Sequence, residues 1–324
     1  PHVHCGHISF CDDITPDVAA ETLHAEASGA GTPYAFVMYH GSKRWVTEFA
    51  EQPSEESGEA FALTSTDVIL ATGGGRGITA RVVLALSETM KPSWIVVGST
   101  DLETDSDSAR ETRGPLHALE ALGCKVEYLR CDLAEAESVR SMLRELVTRY
   151  PAITGVIHGA GILADANIAD KSAEDFSRVV AVKSRSARIL EAELDLSKIR
   201  LWVSMSSVAA ITGNAGQTDY AAASQDLVTQ TYRLRRGGVS GAQTILWGPW
   251  TGTGMVVSEG LEDRFKALGV PLIEAEVGSW LFVEEVGRSK DPVVAFSGDL
   301  ARFAEARPTV DMTVWSQRCV VGAA

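Results

Sequence analysis

Between residues 67 and 205, short apolar runs alternate with amphipathic stretches of helical period, and this alternation constrains the fold more than anything else in the chain. The strand-length runs are Asp67 to Ala71, Trp94 to Val97, Lys125 to Leu129, Gly155 to His158 and Leu201 to Met205. Helical patterns separate them over Thr79 to Thr89, over a stretch ending near Gly123, and over Ala134 to Tyr150. Strand, helix and strand in one sheet require right-handed crossovers, so the pattern predicts an α/β protein with a parallel sheet covered by helices on both faces. At 45% hydrophobic residues, the 324-residue chain has enough apolar surface for such a core.

The first run leads into Thr72-Gly73-Gly74-Gly75-Arg76-Gly77-Ile78, directly before a helix. Glycines there let backbone amides approach a pyrophosphate, and the helix N-terminus supplies positive potential, which makes the prediction a Rossmann-type doubly wound parallel sheet. Ligands of such sheets bind at the carboxyl ends of the strands. Those ends hold Ser99 and Thr100, then Cys131-Asp132-Leu133, then His158-Gly159-Ala160-Gly161. We expect all of them to line a cofactor, with Asp132 hydrogen-bonding the adenine; the plainer reading of Asp132 is a cap on the following helix.

The chain divides near residue 66. Before it, residues 35–39 and 44–49 read as two strands around His40-Gly41-Ser42, followed by an acidic, turn-rich stretch, a small N-terminal β appendage and linker. Residues 67–324 form the dinucleotide-binding domain, with a lid near 250–275 whose Gly252 and Gly254 provide hinges. The start at Pro1 predicts a piece of something longer. A formal charge of -14 argues against a nucleic-acid binder, and no apolar run approaches the ~20 residues that a membrane helix needs. Five scattered cysteines without a CxxC pair fit reduced thiols and a cytoplasmic setting. His2, His4, Cys5, His7 and Cys11 include zinc-ligand types, but half of a ligand set is missing, and no metal is expected.

Chemistry is carried further along. Ser207 closes the run from Leu201, and Tyr220 follows thirteen positions later in Asp219-Tyr220-Ala221-Ala222-Ala223-Ser224. A strand-end serine and a helix-borne tyrosine can converge on one carbonyl oxygen as it becomes an alkoxide. The tyrosine needs a nearby ammonium to ease loss of its proton. No lysine lies between Lys198 and Lys266, and Ser224 occupies the position four after the tyrosine, so the cation must come from earlier: Lys183.

In combination, the glycine loop, Cys131-Asp132, His158-Gly159-Ala160-Gly161, Lys183, Ser206-Ser207, Gly216-Gln217, Tyr220-Ala221-Ala222 and Trp247-Gly248-Pro249-Trp250 resemble one family. From about Asp67 to Asp299 the chain is similar to ketoreductase domains of type I polyketide synthases and multidomain fatty acid synthases, a branch of the short-chain dehydrogenase/reductases. The loop with Arg76 and the segment Gly254-Met255-Val256 look most like iterative polyunsaturated fatty acid or enediyne synthases. The resemblance implies an NADPH-dependent reductase of β-ketoacyl thioesters, carried on an acyl carrier protein among neighbouring synthase domains. It implies that Tyr220 protonates the oxygen, Ser207 polarises it, Lys183 lowers the tyrosine's pKa, and Pro249 and Trp250 contact the cofactor. Gly216, Gln217, Met255 and Asp165 then face the substrate. Asp165, kept in Leu163-Ala164-Asp165, and Thr212 in place of a tryptophan imply a D-hydroxy product.

Three departures stand out. Ser224 replaces an asparagine that holds a proton-relay water in the family, so a hydroxyl or backbone must hold it instead. Thr79 replaces the last glycine of the loop, affecting helix packing. Gly98-Ser99-Thr100-Asp101 lacks the family's arginine for a 2'-phosphate; Arg76 is expected to supply that charge, while Asp101 would repel it. Arg185, Arg188, Arg233, Arg235 and Arg236 are candidates for a basic landing patch. Two other readings fit parts of the pattern: a non-reducing structural pseudo-domain, which Ser224 permits, and a free-standing dehydrogenase on a small ketone, which would hold its lysine four after the tyrosine.

Overall fold

The computed structural model describes residues 7–10, 15–28, 36–40, 43–51, 62–150, 152–255, 260, 262–267, 270–288, 291–296 and 318–323. His2, His4, Cys5, Cys11, Val256 and the acidic stretch before residue 62 lie outside them.

The strands are β1 (His7–Phe10), β2 (Phe36–His40), β3 (Lys43–Glu51), β4 (Val68–Thr72), β5 (Ser93–Gly98), β6 (Val126–Arg130), β7 (Gly155–His158), β8 (Leu201–Ser207), β9 (Ala242–Trp247), β10 (Val293–Phe296) and β11 (Arg318–Ala323). The helices are α1 (Pro16–Ser28), α2 (Gly77–Thr89), α3 (Asp107–Ala121), α4 (Ala136–Arg149), α5 (Ala173–Val180), α6 (Ser186–Glu193), α7 (Ala209–Thr212), α8 (Thr218–Arg236), α9 (Glu262–Ala267) and α10 (Ala275–Arg288).

Seven parallel strands run in the order β10-β9-β8-β7-β4-β5-β6, the doubly wound sheet expected from the alternation. Apart from the half-buried edge strand β6, its strands are buried on both faces, so neighbouring residues feed opposite cores. Trp94 and Val96 of β5 pack with Val82, Val83 and Phe282 on one face. Ile95 and Val97 pack with Leu143, Leu146 and Trp202 on the other. That two-sided burial explains why the runs read as continuous rather than alternating apolar.

The appendage is not a separate sheet. β11 pairs antiparallel with β10 and then with β3, which extends the sheet to eleven strands through β2 and β1. Pairing across so many intervening residues leaves no mark in local sequence. Among the described residues, no helix is long and apolar enough to cross a membrane.

Candidate active site

β4 and β7 lie side by side, with Thr72 opposite His158. The glycine turn that leads from β4 into α2 packs against the carboxyl end of β7. Gly73 has φ +70°, and a Cβ there would lie 2.9 Å from the Gly159 and Ala160 backbone, so only glycine lets the two strand ends meet. α2 begins at Gly77 with no side-chain cap from Arg76, leaving its first amides without a protein acceptor from that residue. Turn and uncapped helix together fit a dinucleotide pyrophosphate. Gly254 packs over this turn: a Cβ on it would lie 3.1 Å from Ile78.

Thr72 and His158 stand where a cofactor contact is expected, but their side chains are consumed inside the protein. His158 is fully buried, with Nδ1 2.7 Å from the Thr72 hydroxyl and Nε2 2.7 Å from the Lys183 carbonyl. The carbonyl only accepts, so Nε2 carries the hydrogen and Nδ1 accepts from threonine. Burial pulls the imidazole down to about 4, which keeps it neutral. Any contact these two residues make with a cofactor comes from backbone.

Beside the glycine turn, the β5–β6 register sets Arg130 against Gly98, next to Ser99 and Thr100. A recess lined by Ser99, Leu129, Arg130, Cys131 and Asp132 opens there. Arg130 lies 2.6 Å from Asp101, so the carboxylate expected to repel a phosphate has a cation on it. Arg76 is 3.9 Å from Glu111, an exposed and loose pair. Tyr128 stands between these groups. Its hydroxyl donates to the Thr100 carbonyl at 2.9 Å, and burial pushes its pKa up while the Arg76 and Arg130 charges oppose the rise. Arg130 as a cation lining this recess escaped the sequence reading; its place at the end of an apolar strand, one residue before Cys131, was the available signal.

Asp132 does not cap α4, which starts at Ala136 behind Glu135. Its Oδ1 accepts the Ala134 amide at 2.9 Å and closes a tight turn instead. Cys131 and Leu133 are buried, and burial with the Asp132 charge pushes the Cys131 thiol up to about 11. Trp250 needs a similar correction. It is fully buried, packed edge-on to Trp247 at 5.0 Å, and a Cβ on Gly278 would strike its ring at 2.4 Å. Its indole therefore belongs to the core rather than to a cofactor contact. Pro249 O accepts the Ile273 amide at 2.8 Å, tying the segment down.

The reactive residues meet at the next strand end. α5 runs into a π-helical turn, Ala181–Arg185, in which the Ser186 amide bonds back five residues to Ala181 O. Such turns recur at functional sites. This one carries Lys183, 2% exposed, whose Nζ donates to the Met205 carbonyl of β8 at 3.1 Å and lies 4.7 Å from the Tyr220 ring centroid. Burial pulls the lysine down to about 8. Tyr220 sits in the first turn of α8 and is pushed up to about 12, by burial first and then by the Asp165 carboxylate. The expected lowering of its pKa by Lys183 does not appear in the protein alone: burial withdraws water from the phenolate, the Asp165 charge adds to the rise, and the ammonium lies over the ring face. A neutral tyrosine is nonetheless the state that can donate a proton.

Ser207 Oγ accepts the Ala209 amide at 3.2 Å, which leaves its proton available as a donor. Ser224 is buried, and its Oγ has no hydrogen-bond partner among the described residues, while its carbonyl accepts from Ser206 Oγ at 2.9 Å. Among the residues expected to face a substrate, Gln217 Nε2 donates to Asp165 Oδ2 at 2.9 Å, Gly216 O accepts the Ala166 amide at 3.0 Å, and Met255 packs near Tyr220. Of the basic patch, Arg188 is bound to Asp226 and Arg233 to Glu191, so two of its five charges are already answered.

The family model described as "KR domain" matches residues 68–252, more than half of the chain. The chain is 36% identical over 172 residues to a polyunsaturated fatty acid synthase polypeptide of Thraustochytrium sp. (strain ATCC 26185 / S-3), covering 53% of this chain and 6% of that protein. It is 25% identical over 276 residues to polyketide synthase PksN of Bacillus subtilis (strain 168), covering 81% of this chain and 5% of that protein. The chain therefore spans a small fraction of the length of these curated relatives. Among solved structures, an A1-type ketoreductase superposes with a TM-score of 0.79 at 28% identity, over 95% of this chain and 63% of that one. With a glycine turn, a buried tyrosine–lysine pair and the family match in one doubly wound sheet, the chain belongs to the KR domain family, on a short-chain dehydrogenase/reductase fold.

Proposed function

We propose that this chain reduces the β-carbonyl of an acyl thioester presented on an acyl carrier protein, using NADPH and giving the D-hydroxy product. The observation that carries this reading is the buried Tyr220 with Lys183 4.7 Å from its ring, at the carboxyl end of the sheet beside the glycine turn. When bound, the nicotinamide supplies hydride to the carbonyl carbon.

The chain's own residues do the rest. Residues 73–77 and the first amides of α2 hold the pyrophosphate, and Arg76 with Arg130 reads the 2'-phosphate that distinguishes NADPH from NADH. Tyr220, neutral at physiological pH, donates its proton to the developing alkoxide, and Ser207 donates a second hydrogen bond. Lys183, still largely protonated near neutral pH with its pKa at about 8, stabilises the phenolate left behind. Asp165, Gly216, Gln217 and Met255 form the wall that selects the face of the ketone. Residues 1–66 act as a structural appendage, the segment near 250–275 acts as a lid over the turn, and neighbouring synthase domains supply the carrier.

A scaffold without turnover is the second reading, favoured by the buried, unpartnered Ser224 hydroxyl. The deciding experiment follows NADPH oxidation with an N-acetylcysteamine β-ketoacyl ester, beside Tyr220→Phe. Turnover in the parent, falling ~10³-fold in the variant, is expected. NADPH binding without turnover would favour the scaffold, and absence of binding would remove the cofactor reading as well.

A further inference from the structure

Twelve residues before Lys183 stands a second buried lysine. Lys171, with its side chain 5% exposed, lies 2.9 Å from Asp219, whose side chain is 1% exposed. Withdrawing two charges from water is costly, and apolar residues of the same volume often replace such a pair without loss of stability. The contacts around the pair indicate another use.

The Lys171 ammonium also donates to the carbonyl of Ala164. Asp219 uses Oδ2 for the lysine and Oδ1 for the backbone N–H of Tyr220, at 2.9 Å each. One pair thus joins the loop that contains Asp165 to the residue that donates the proton. The neighbouring contacts repeat the connection: Ala166 N–H to Gly216 O at 3.0 Å, and Gln217 Nε2 to Asp165 Oδ2 at 2.9 Å. Gln217 is itself held, its Oε1 accepting from Asn214 Nδ2 at 2.7 Å. Of these links, the lysine alone brings a charge to bear on both partners.

We infer that Lys171 is a positioning residue: through Ala164 O and Asp219 it locks residues 164–166 onto the first turn of α8 and so fixes which face of a ketone meets Tyr220. The inference rests on the reductase reading for its stereochemical consequence, but not for the lock itself.

The test compares Lys171→Met, Lys171→Arg and the double variant Lys171→Met/Asp219→Asn in the full chain. The readouts are melting temperature, kcat and KM with the N-acetylcysteamine ester, the ratio of hydroxyl configurations in the product, and amide exchange at Ala166. The double variant removes both charges and keeps the question open to test if the single variant fails to fold. In the folded methionine variants we expect the minor configuration and Ala166 exchange each to rise about tenfold, and KM to rise more than kcat falls. Lys171→Arg restores all three. A folded methionine variant with parental product ratio and parental Ala166 exchange overturns the inference, as does activity lost only in proportion to unfolded protein. If the parent does not reduce the ester, the reductase reading fails, while the exchange comparison still decides for or against the lock.

Discussion

Two buried lysine side chains are linked to Tyr220, one through Asp219 and one over its ring, and the protein holds them in opposite ways. Lys171 is matched by a carboxylate at 2.9 Å and shares it with the backbone of the tyrosine. Lys183 has a carbonyl at 3.1 Å and the tyrosine ring, and among the described residues no carboxylate pairs with it. A matched ammonium has its charge spent on architecture. An unmatched one keeps a labile proton, and burial brings it down to about 8, where it can respond to chemistry next to it.

The widest separation between the two should come from truncating each. Lys183→Met is expected to lower turnover by ~10²- to 10³-fold while stability at neutral pH holds or improves, because an uncompensated buried charge is removed. Lys171→Met leaves Asp219 buried alone and should cost ~3–5 kcal/mol of stability by denaturant unfolding. Equal stability losses in the two variants would erase the distinction.

His158 tests how firmly Lys183 is held, because its Nε2–H grips the lysine's carbonyl. Its folded-state pKa of about 4 lies below the ordinary 6.5, so the unfolded chain binds more protons between those values. Stability therefore falls as pH drops from 6.5 towards 4, by about 3 kcal/mol at the end of the window. Unfolding curves of His158→Gln should lack that acid-side loss; an unchanged slope would show that the imidazole is not responsible.

Raising the pH isolates Lys183 itself. Reduction should decline as pH passes about 8 and the ammonium is lost. The same group makes stability rise between about 8 and the ordinary 10.5, since there the unfolded chain holds the extra proton. A flat rate profile across that range would place the essential cation elsewhere. Smallest of all is the effect at the exposed cofactor end, where charges are screened. Arg130→Ala should weaken NADPH relative to NADH by about fivefold in a binding titration, and an unchanged preference would return the 2'-phosphate to Arg76 alone.

What could be read in the sequence follows the same division. The sheet, the glycine turn and Lys183 were legible because period, turn chemistry and a missing alternative are local or exclusionary facts. Lys171 and Asp219 were not, because a bond across 48 residues has no periodic signature. The strand-end position of His158 and the family resemblance at Trp250 point to a cofactor, yet the space around them turns their side chains inward. Arg130 escapes notice for the opposite reason: it looks like the polar terminus of a strand, and only the register with Gly98 shows what it stands beside. The joining of the N-terminal strands through β11 likewise depends on pairing between distant ends of the chain.

The π-helical turn at Ala181–Arg185 sets a limit on how this domain can vary in length. It contains one more residue per turn than its flanking helices, and each residue of an α-helix advances the face by roughly 100°. Deleting Ser184 would regularise the helix and leave its composition almost untouched, yet it would change the angular relation between Lys183 and everything on α6. Substitutions along this segment can be absorbed one side chain at a time, whereas a single-codon deletion should misdirect either the ammonium or the α6 packing face. Drift within this stretch should therefore proceed by replacement, with its residue count held constant.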